Sequence, residues 1–277
     1  MVAEAEAAGM VEVLLEGSGC ARGGYAPIGA LNLSENRQSS LEIRCKNANS
    51  ALVGVFPYYA GPQAGPVSLY TRGFDYLPVL KNRLGKAASL LRAQWPQAEF
   101  TVLPNCAPLP AVALARAAGV ALAGRNGLAI CPPYGSYCFL GAIVTDLTLP
   151  PSLPAGTCQG CGLCQKACPT AALSSRPEIG AVLDRRRCLS CISQLREPDA
   201  EQQALLKKSP TLWGCDLCQT VCPHNSAPAL SPLPEFTRDL LAFPLNADAI
   251  GGLACGRYGL EHLQRNAEIC GLEELLQ

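Results

Sequence analysis

Two stretches decide the reading of this chain: CQGCGLCQKACPTAAL (158–173) and WGCDLCQTVCPHN (213–225). In the first, Cys158, Cys161, Cys164 and Cys168 stand as C-x2-C-x2-C-x3-C, followed by Pro169. Two-residue gaps curl a backbone around one iron–sulfur cube, so that three thiolates reach three irons. The fourth cysteine of such a run, opening a helix, points at a second cube. In the second stretch Cys215, Cys218, Cys222 and Pro223 repeat the last three ligands of the run. Its first ligand lies upstream. Cys188 precedes Cys215 with 26 residues between them, and Cys191 is the other candidate for that place.

The symmetry of two-cluster ferredoxins then assigns Cys158, Cys161, Cys164 and Cys222 to cluster one. Cluster two takes Cys188, Cys215, Cys218 and Cys168. C-x2-C pairs also serve structural zinc, but two proline-terminated x3 gaps favour a pair of 4Fe–4S clusters. Ligands shared in this way hold the clusters close enough to exchange electrons. Gly160, Gly162, Leu163 and Ala167 are small or apolar, which suits thiolates that must stay dry.

Outward from this centre, the chain has 277 residues, of which 49% are hydrophobic and 16% charged. That composition predicts a folded globule and excludes wholesale disorder. Twenty-two basic residues balance 22 acidic ones, which argues against a broad nucleic-acid-coating surface. Sixteen cysteines in a long chain whose start, MVAEAEAAGM, lacks a signal peptide's basic and apolar regions point to a reducing cytoplasm. No 18-residue uncharged apolar run predicts a membrane span.

The predicted architecture has three parts: an α/β domain over 1–150, a ferredoxin-like double-cluster module over 151–230 and a short helical tail over 231–277. In the first part, residues 3–16, 84–95 and 110–120 read as helices. Residues 51–56, 100–103 and 137–149 read as strands, with Gly141 at a bulge or close approach. Pro150, Pro151 and Pro154 mark the first boundary, and residues 258–276 read as a tail helix.

At this point the chain resembles the cobalamin-dependent epoxyqueuosine reductases. The segments that carry the likeness are the two cysteine runs, LDRRRCLS (183–190), GSYCFLGAIVTDLTLP (135–150), RGFDYLPVLKNRL (72–84) and LQRNAEI (263–269). The resemblance implies an N-terminal cobalamin-binding domain set against the clusters, with electrons passing from clusters to cobalt to reduce epoxyqueuosine in tRNA to queuosine. It implies tRNA as partner, flavodoxin or ferredoxin as electron donor, a monomer and no membrane. Cofactor contacts carried over are Tyr134, Gly135, Ser136 and Gly141, with the loop Gly124–Gly127 nearby. Asn105 stands where the family has an aspartate proposed as proton donor, and an amide has no proton to give. Cys106, Tyr134, Tyr137 or a water are the substitutes. Leu77 replaces a histidine, and the chain is a short member that ends soon after RNAEI, where longer ones continue into helical repeats. Two other readings stay open: a relative acting on a different substrate, and a two-cluster electron carrier without cobalamin.

Arg185, Arg186 and Arg187 read equally as a phosphate contact or a solvated turn. His224 is expected to be structural or surface, and His262 to lie on the surface. Asp146 reads as a strand-end cap. Cys20, Cys45, Cys131, Cys138, Cys255 and Cys270 read as buried thiols.

Overall fold

The computed structural model describes residues 2–62, 65–176, 180–241, 245 and 248–276. Its centre is a four-stranded sheet of β1 (Arg22–Pro27), β2 (Ser50–Pro57), β3 (Phe100–Leu103) and β6 (Cys138–Thr145), in the order β1-β2-β6-β3. All three pairings are antiparallel. The expected mixture of helices and sheet is present, without the parallel strands of a doubly wound fold.

Period-two alternation explains how β2 and β6 serve two layers. Leu52, Phe56, Phe139 and Ile143 turn to one face, where α1 (Glu4–Ser18) and α3 (Tyr76–Gln94) deliver Met10, Leu14, Leu80, Leu84 and Leu91. Ala51, Val53, Val55, Ala142 and Val144 turn to the other. There they meet Leu41 of α2 (Glu35–Arg44) and Leu114 and Ala115 of α4 (Ala111–Ala117). The register runs unbroken through Gly54↔Gly141, so Gly141 is a close approach and not a bulge. A Cβ there would lie 2.6 Å from Leu84 Cδ1.

Helix α3 begins eight residues before the expected Leu84. Asp75 caps it by accepting from Leu77 N at 3.0 Å, and Pro78 falls in the first turn, where its missing N–H costs nothing. Strand β1 and helix α2 were not expected. The first is short and carries two glycines, and the second is mostly polar.

A hairpin of β4 (Leu122–Ala123) and β5 (Ala129–Ile130) leads from this domain to the cysteine module. The module holds α5 (Leu163–Lys166), the ribbon β7 (Leu173–Arg176) with β8 (Gly180–Leu183), α6 (Leu189–Ile192), α7 (Ala200–Leu206) and α8 (Leu217–Thr220). The tail contributes α9 (Leu260–Cys270), which stops at Gly271 in the left-handed region, φ 68°. It is therefore shorter than expected. His262 is buried, which corrects its expected surface position. Its ring lies 5.2 Å from that of Trp213, and Nε2 bonds Ser193 O at 2.7 Å. Asn266 Nδ2 donates to Ser193 O and Leu212 O at 2.9 and 2.7 Å. The tail thus clamps the segment inserted between Cys188 and Cys215. No helix among the described residues is long and apolar enough to cross a membrane.

Candidate functional site

The eight cysteines fall into two groups around two cavities. Cys158, Cys161, Cys164 and Cys222 line one, together with Arg125, Asn126 and His224. Cys168, Cys188, Cys215 and Cys218 line the other, of about 280 Å³, together with Cys191 and Asn126. The fourth cysteine of each run has crossed to the other run's cavity. Helix α5 carries Cys164 and packs against α8, which carries Cys218.

The donor set fits iron–sulfur cubes. Burial raises the Cys164 and Cys222 thiols, and the negative charge their neighbours would carry raises them further. Burial likewise pushes Cys215 up to about 11 and raises Cys218, with repulsion from the other thiols added. Such crowding is tolerable as thiolates only around cations, which deprotonate the sulfurs they bind. Backbone N–H groups already face sulfur: Arg125 N to Cys158 Sγ and Ala172 N to Cys168 Sγ, both at 3.3 Å. Two buried polar atoms, Asn126 Nδ2 and His224 Nε2, have no hydrogen-bond partner among the described residues. His224 faces the first cavity, and Asn126 lines both. An N–H aimed at an inorganic sulfide would satisfy each. Among the described residues no three His, Cys, Asp or Glu side chains converge to share one metal ion, so the cysteines ring a volume and not a point.

At the disputed position, Cys188 N-caps α6. Its thiol is lowered, first by the hydrogen bond from Cys191 and then by the Cys191 and Ser190 amides. Cys188 and Cys191 both line the cavity. Two of the three preceding arginines are engaged within the module. Arg186 pairs with Asp199 at 3.1 Å, and Arg187 Nε donates to Thr170 O at 2.9 Å.

The second cavity adjoins a cleft of about 320 Å³, lined by Tyr70, Tyr76, Asn105, Phe139, Trp213 and Arg257 among others. Tyr70, Leu128, Cys138, Phe139 and Ser190 border both spaces. Asn105 stands exposed at the cleft, its Oδ1 accepting from Ala107 N at 3.2 Å. Tyr76 stacks on Phe139, with centroids 4.4 Å apart and planes 10° from parallel. Burial raises its phenol, and Arg257 beside it opposes that rise. Asp75 holds Arg257 through both carboxylate oxygens, at 3.0 and 2.9 Å. Cys106 and Tyr137, two of the candidate acids, are buried and line neither space; burial pushes both up to about 12.

Of the expected cofactor contacts, Ser136 lines the cavity beside the second cysteine set. Tyr134, Gly135 and Gly141 line neither space. Gly135 and Ser136 instead dock the sheet domain on the second cysteine run. Ser136 N donates to Asn225 Oδ1 at 2.8 Å, Asn225 Nδ2 donates to Ser136 Oγ at 2.9 Å, and Ser136 Oγ donates to Gln219 Oε1 at 2.9 Å. A second latch is Asp216, half-buried inside C-x2-C, which accepts from Ser68 Oγ at 2.5 Å and Leu69 N at 2.7 Å. Asp216, Tyr76 and Arg257 escaped the sequence reading. An acid between two ligands was a visible signal for the first, whereas Tyr76 and Arg257 meet only through the fold. Asp146 caps across strands as expected, accepting from Glu99 N at 2.9 Å.

Fold and site together define an iron–sulfur double-cluster protein with an antiparallel-sheet domain set over its second cysteine set. Residues 157–225 match the family model described as a 4Fe-4S double cluster binding domain. Over about three-quarters of its length the chain is similar to epoxyqueuosine reductases. It is 31% identical over 223 residues to epoxyqueuosine reductase of Listeria monocytogenes, covering 76% of this chain and 57% of that protein. A solved epoxyqueuosine reductase from Streptococcus thermophilus is 26% identical, with a TM-score of 0.72 over 94% of this chain and 79% of its own. An epoxyqueuosine reductase solved with a modified tRNA-Tyr stem loop shares the fold at a TM-score of 0.77 and 22% identity, over 96% and 80%. The chain spans little more than half the length of the curated relatives it matches.

Proposed function

We propose that this chain reduces epoxyqueuosine in tRNA to queuosine in the cytoplasm as a monomer, using two 4Fe–4S clusters and cobalamin, with flavodoxin or ferredoxin as electron source. The observation that carries the reading is the junction of two spaces, one walled by Cys168, Cys188, Cys215 and Cys218 and the other open past Asn105. Epoxide reduction to an alkene consumes two electrons and two protons and releases water, so electrons must arrive on one side and a proton on the other. In this reading Cys158, Cys161, Cys164 and Cys222 hold cluster one, and Cys188, Cys215, Cys218 and Cys168 hold cluster two.

Cobalamin, when bound, supplies a low-valent cobalt for two-electron chemistry at carbon. The aromatic walls Tyr70, Tyr76, Phe139 and Trp213 suit a flat macrocycle and exclude water from it. Among the described residues no histidine lines the cleft. Ser136 borders the space directly, while Tyr134, Gly135 and Gly141 hold its wall from behind. Asn105 orients the substrate oxygen by hydrogen bonding. Tyr76 Oη supplies one of the two protons, and water reaching the cleft supplies the other. The raised Tyr76 phenol keeps its proton at neutral pH, and the neighbouring Arg257 charge stabilises the phenolate left behind.

The test is anaerobic purification, cluster reconstitution, addition of cob(II)alamin and an EPR spectrum, followed by nucleoside analysis of tRNA carrying epoxyqueuosine. A base-off signal and queuosine in the digest are expected. A spectrum identical to free cob(II)alamin overturns the cobalamin reading. A base-off signal without queuosine overturns the substrate.

A further inference from the structure

The two cysteine sets differ in their access to solvent, and the difference has a direction. Cys161 is exposed, alone among the eight. The second set faces inward, toward the space beneath the sheet domain. Electrons bound for the cleft therefore enter at the first set. The surface over that set has a distinct character. Leu163 and Val221, each adjacent in sequence to a cysteine region of the first set, are 41% and 38% exposed. Lys166 stands three residues from Leu163 on α5, on the same side of the helix, and is exposed. Arg125 is exposed too, its guanidinium 3.3 Å from where a Cβ on Gly160 would lie, so it sits against the cysteine loop. No carboxylate lines the cavity of the first set. The segments whose residues line that cavity, 125–130, 158–164 and 222–224, contain no Asp or Glu, in a chain whose charges balance overall.

We infer that the face over Cys161, with Leu163 and Val221 at its centre and Arg125 and Lys166 beside them, docks a small acidic one-electron carrier protein. This rests on the cluster reading above. An apolar centre over the nearest ligand lets the carrier's redox group approach without trapped charge, and the basic rim steers a negatively charged partner toward it. Steering of this kind changes association rates by about 10- to 1,000-fold and fades with salt.

The experiment is stopped-flow reduction of the cluster-loaded protein by reduced flavodoxin across a range of ionic strength. It compares wild type with Lys166→Glu and with Leu163→Glu, neither of whose side chains lines the cavity of the first set. At low salt each variant is expected to lose about tenfold in second-order rate, with a flattened salt dependence. Iron content and photoreduction by neutral deazaflavin should be unchanged. Rates within twofold of wild type, in variants with intact clusters, overturn the surface. So does weakened tRNA binding with carrier rates unchanged, which would make the patch a nucleic-acid contact. A wild-type protein that assembles no clusters refutes the underlying cluster reading instead.

Discussion

Gly135→Ala measures how strongly the sheet domain is tied to the cysteine module. Gly135 has φ 62°, a conformation that costs an L residue about 1 kcal/mol. The larger effect is steric. A Cβ there would fall 1.9 Å from Asn225 Oδ1 and 2.8 Å from His224 O, so Asn225 must vacate its place. Doing so breaks three bonds: Ser136 N to Asn225 Oδ1, and Asn225 Nδ2 to Ser136 Oγ and Gln219 O, at 2.8, 2.9 and 2.8 Å. At about 1 kcal/mol each, the total is about 4 kcal/mol. At about 2 °C per kcal/mol for a chain of this size, Tm should fall by about 8 °C.

The assay is an anaerobic melt of the cluster-loaded protein, followed by near-UV circular dichroism and by visible cluster absorbance. Because Asn225 follows Cys222 by three residues, bleaching of the clusters should begin at the lower temperature as well. Gly85→Ala, in α3, is the control: nothing lies within 4 Å of the place its methyl would take, and it should gain up to about 1 kcal/mol. A Gly135→Ala protein melting within 2 °C of wild type would refute the reasoning, since the methyl must then be accommodated without disturbing Asn225.

Cys168→Ala should remove the second cluster and leave the first, although Cys168 belongs to the first run; EPR of the reduced protein reads this, and loss of cluster one alone would contradict the crossing. Tyr76→Phe should slow single-turnover reduction of epoxyqueuosine tRNA by about 100-fold or more, and adding Asn105→Asp should restore part of the loss; a wild-type rate in Tyr76→Phe would remove Tyr76 as the acid. Asn126→Leu removes an N–H facing both cavities, which would otherwise stabilise the extra negative charge of a reduced cluster, so a reduction potential should fall by about 40 mV for one hydrogen bond of about 1 kcal/mol, as redox titration would reveal. Burial alone would raise Glu235, but the Arg83 hydrogen bonds at 3.0 and 2.7 Å outweigh it and hold the carboxyl below its ordinary 4.5. That stability is present above pH 4.5 and is lost as the pH falls through the lowered value; Glu235→Gln should flatten this acid limb of the melting profile, and an unchanged limb would exclude the pair as its source.

The cysteine module was legible because its chemistry is local. Gaps of two and three residues dictate which sulfurs meet, and even the crossing of Cys168 and Cys222 follows from the helix that each one opens or ends. The core strands were legible for a similar reason: ALVGVF and the stretch around Phe139 are rich in residues that only a buried sheet accommodates. Strand β1 and helix α2 carry no such signature. They form because β2 offers an unpaired edge and because Leu41 finds a place in the second layer. The cleft was hidden for a further reason. Asn105 comes from the turn after β3, Tyr76 from the first turn of α3, Phe139 from β6 and Arg257 from the tail, and no periodicity relates them. His262 illustrates the same limit. Nothing in LQRNAEI or its neighbours says that Trp213, 49 positions earlier, will lie edge-on to it. Yet that contact holds the inserted segment, and the inserted segment carries Cys188 to its cavity. The lone ligand that the spacing could not pin to Cys188 or Cys191 is therefore positioned by long-range packing, and the test of that dependence is a truncation of the Trp213 or His262 ring. Such a variant should lose the second cluster before the first, because only the second draws a ligand from the clamped segment.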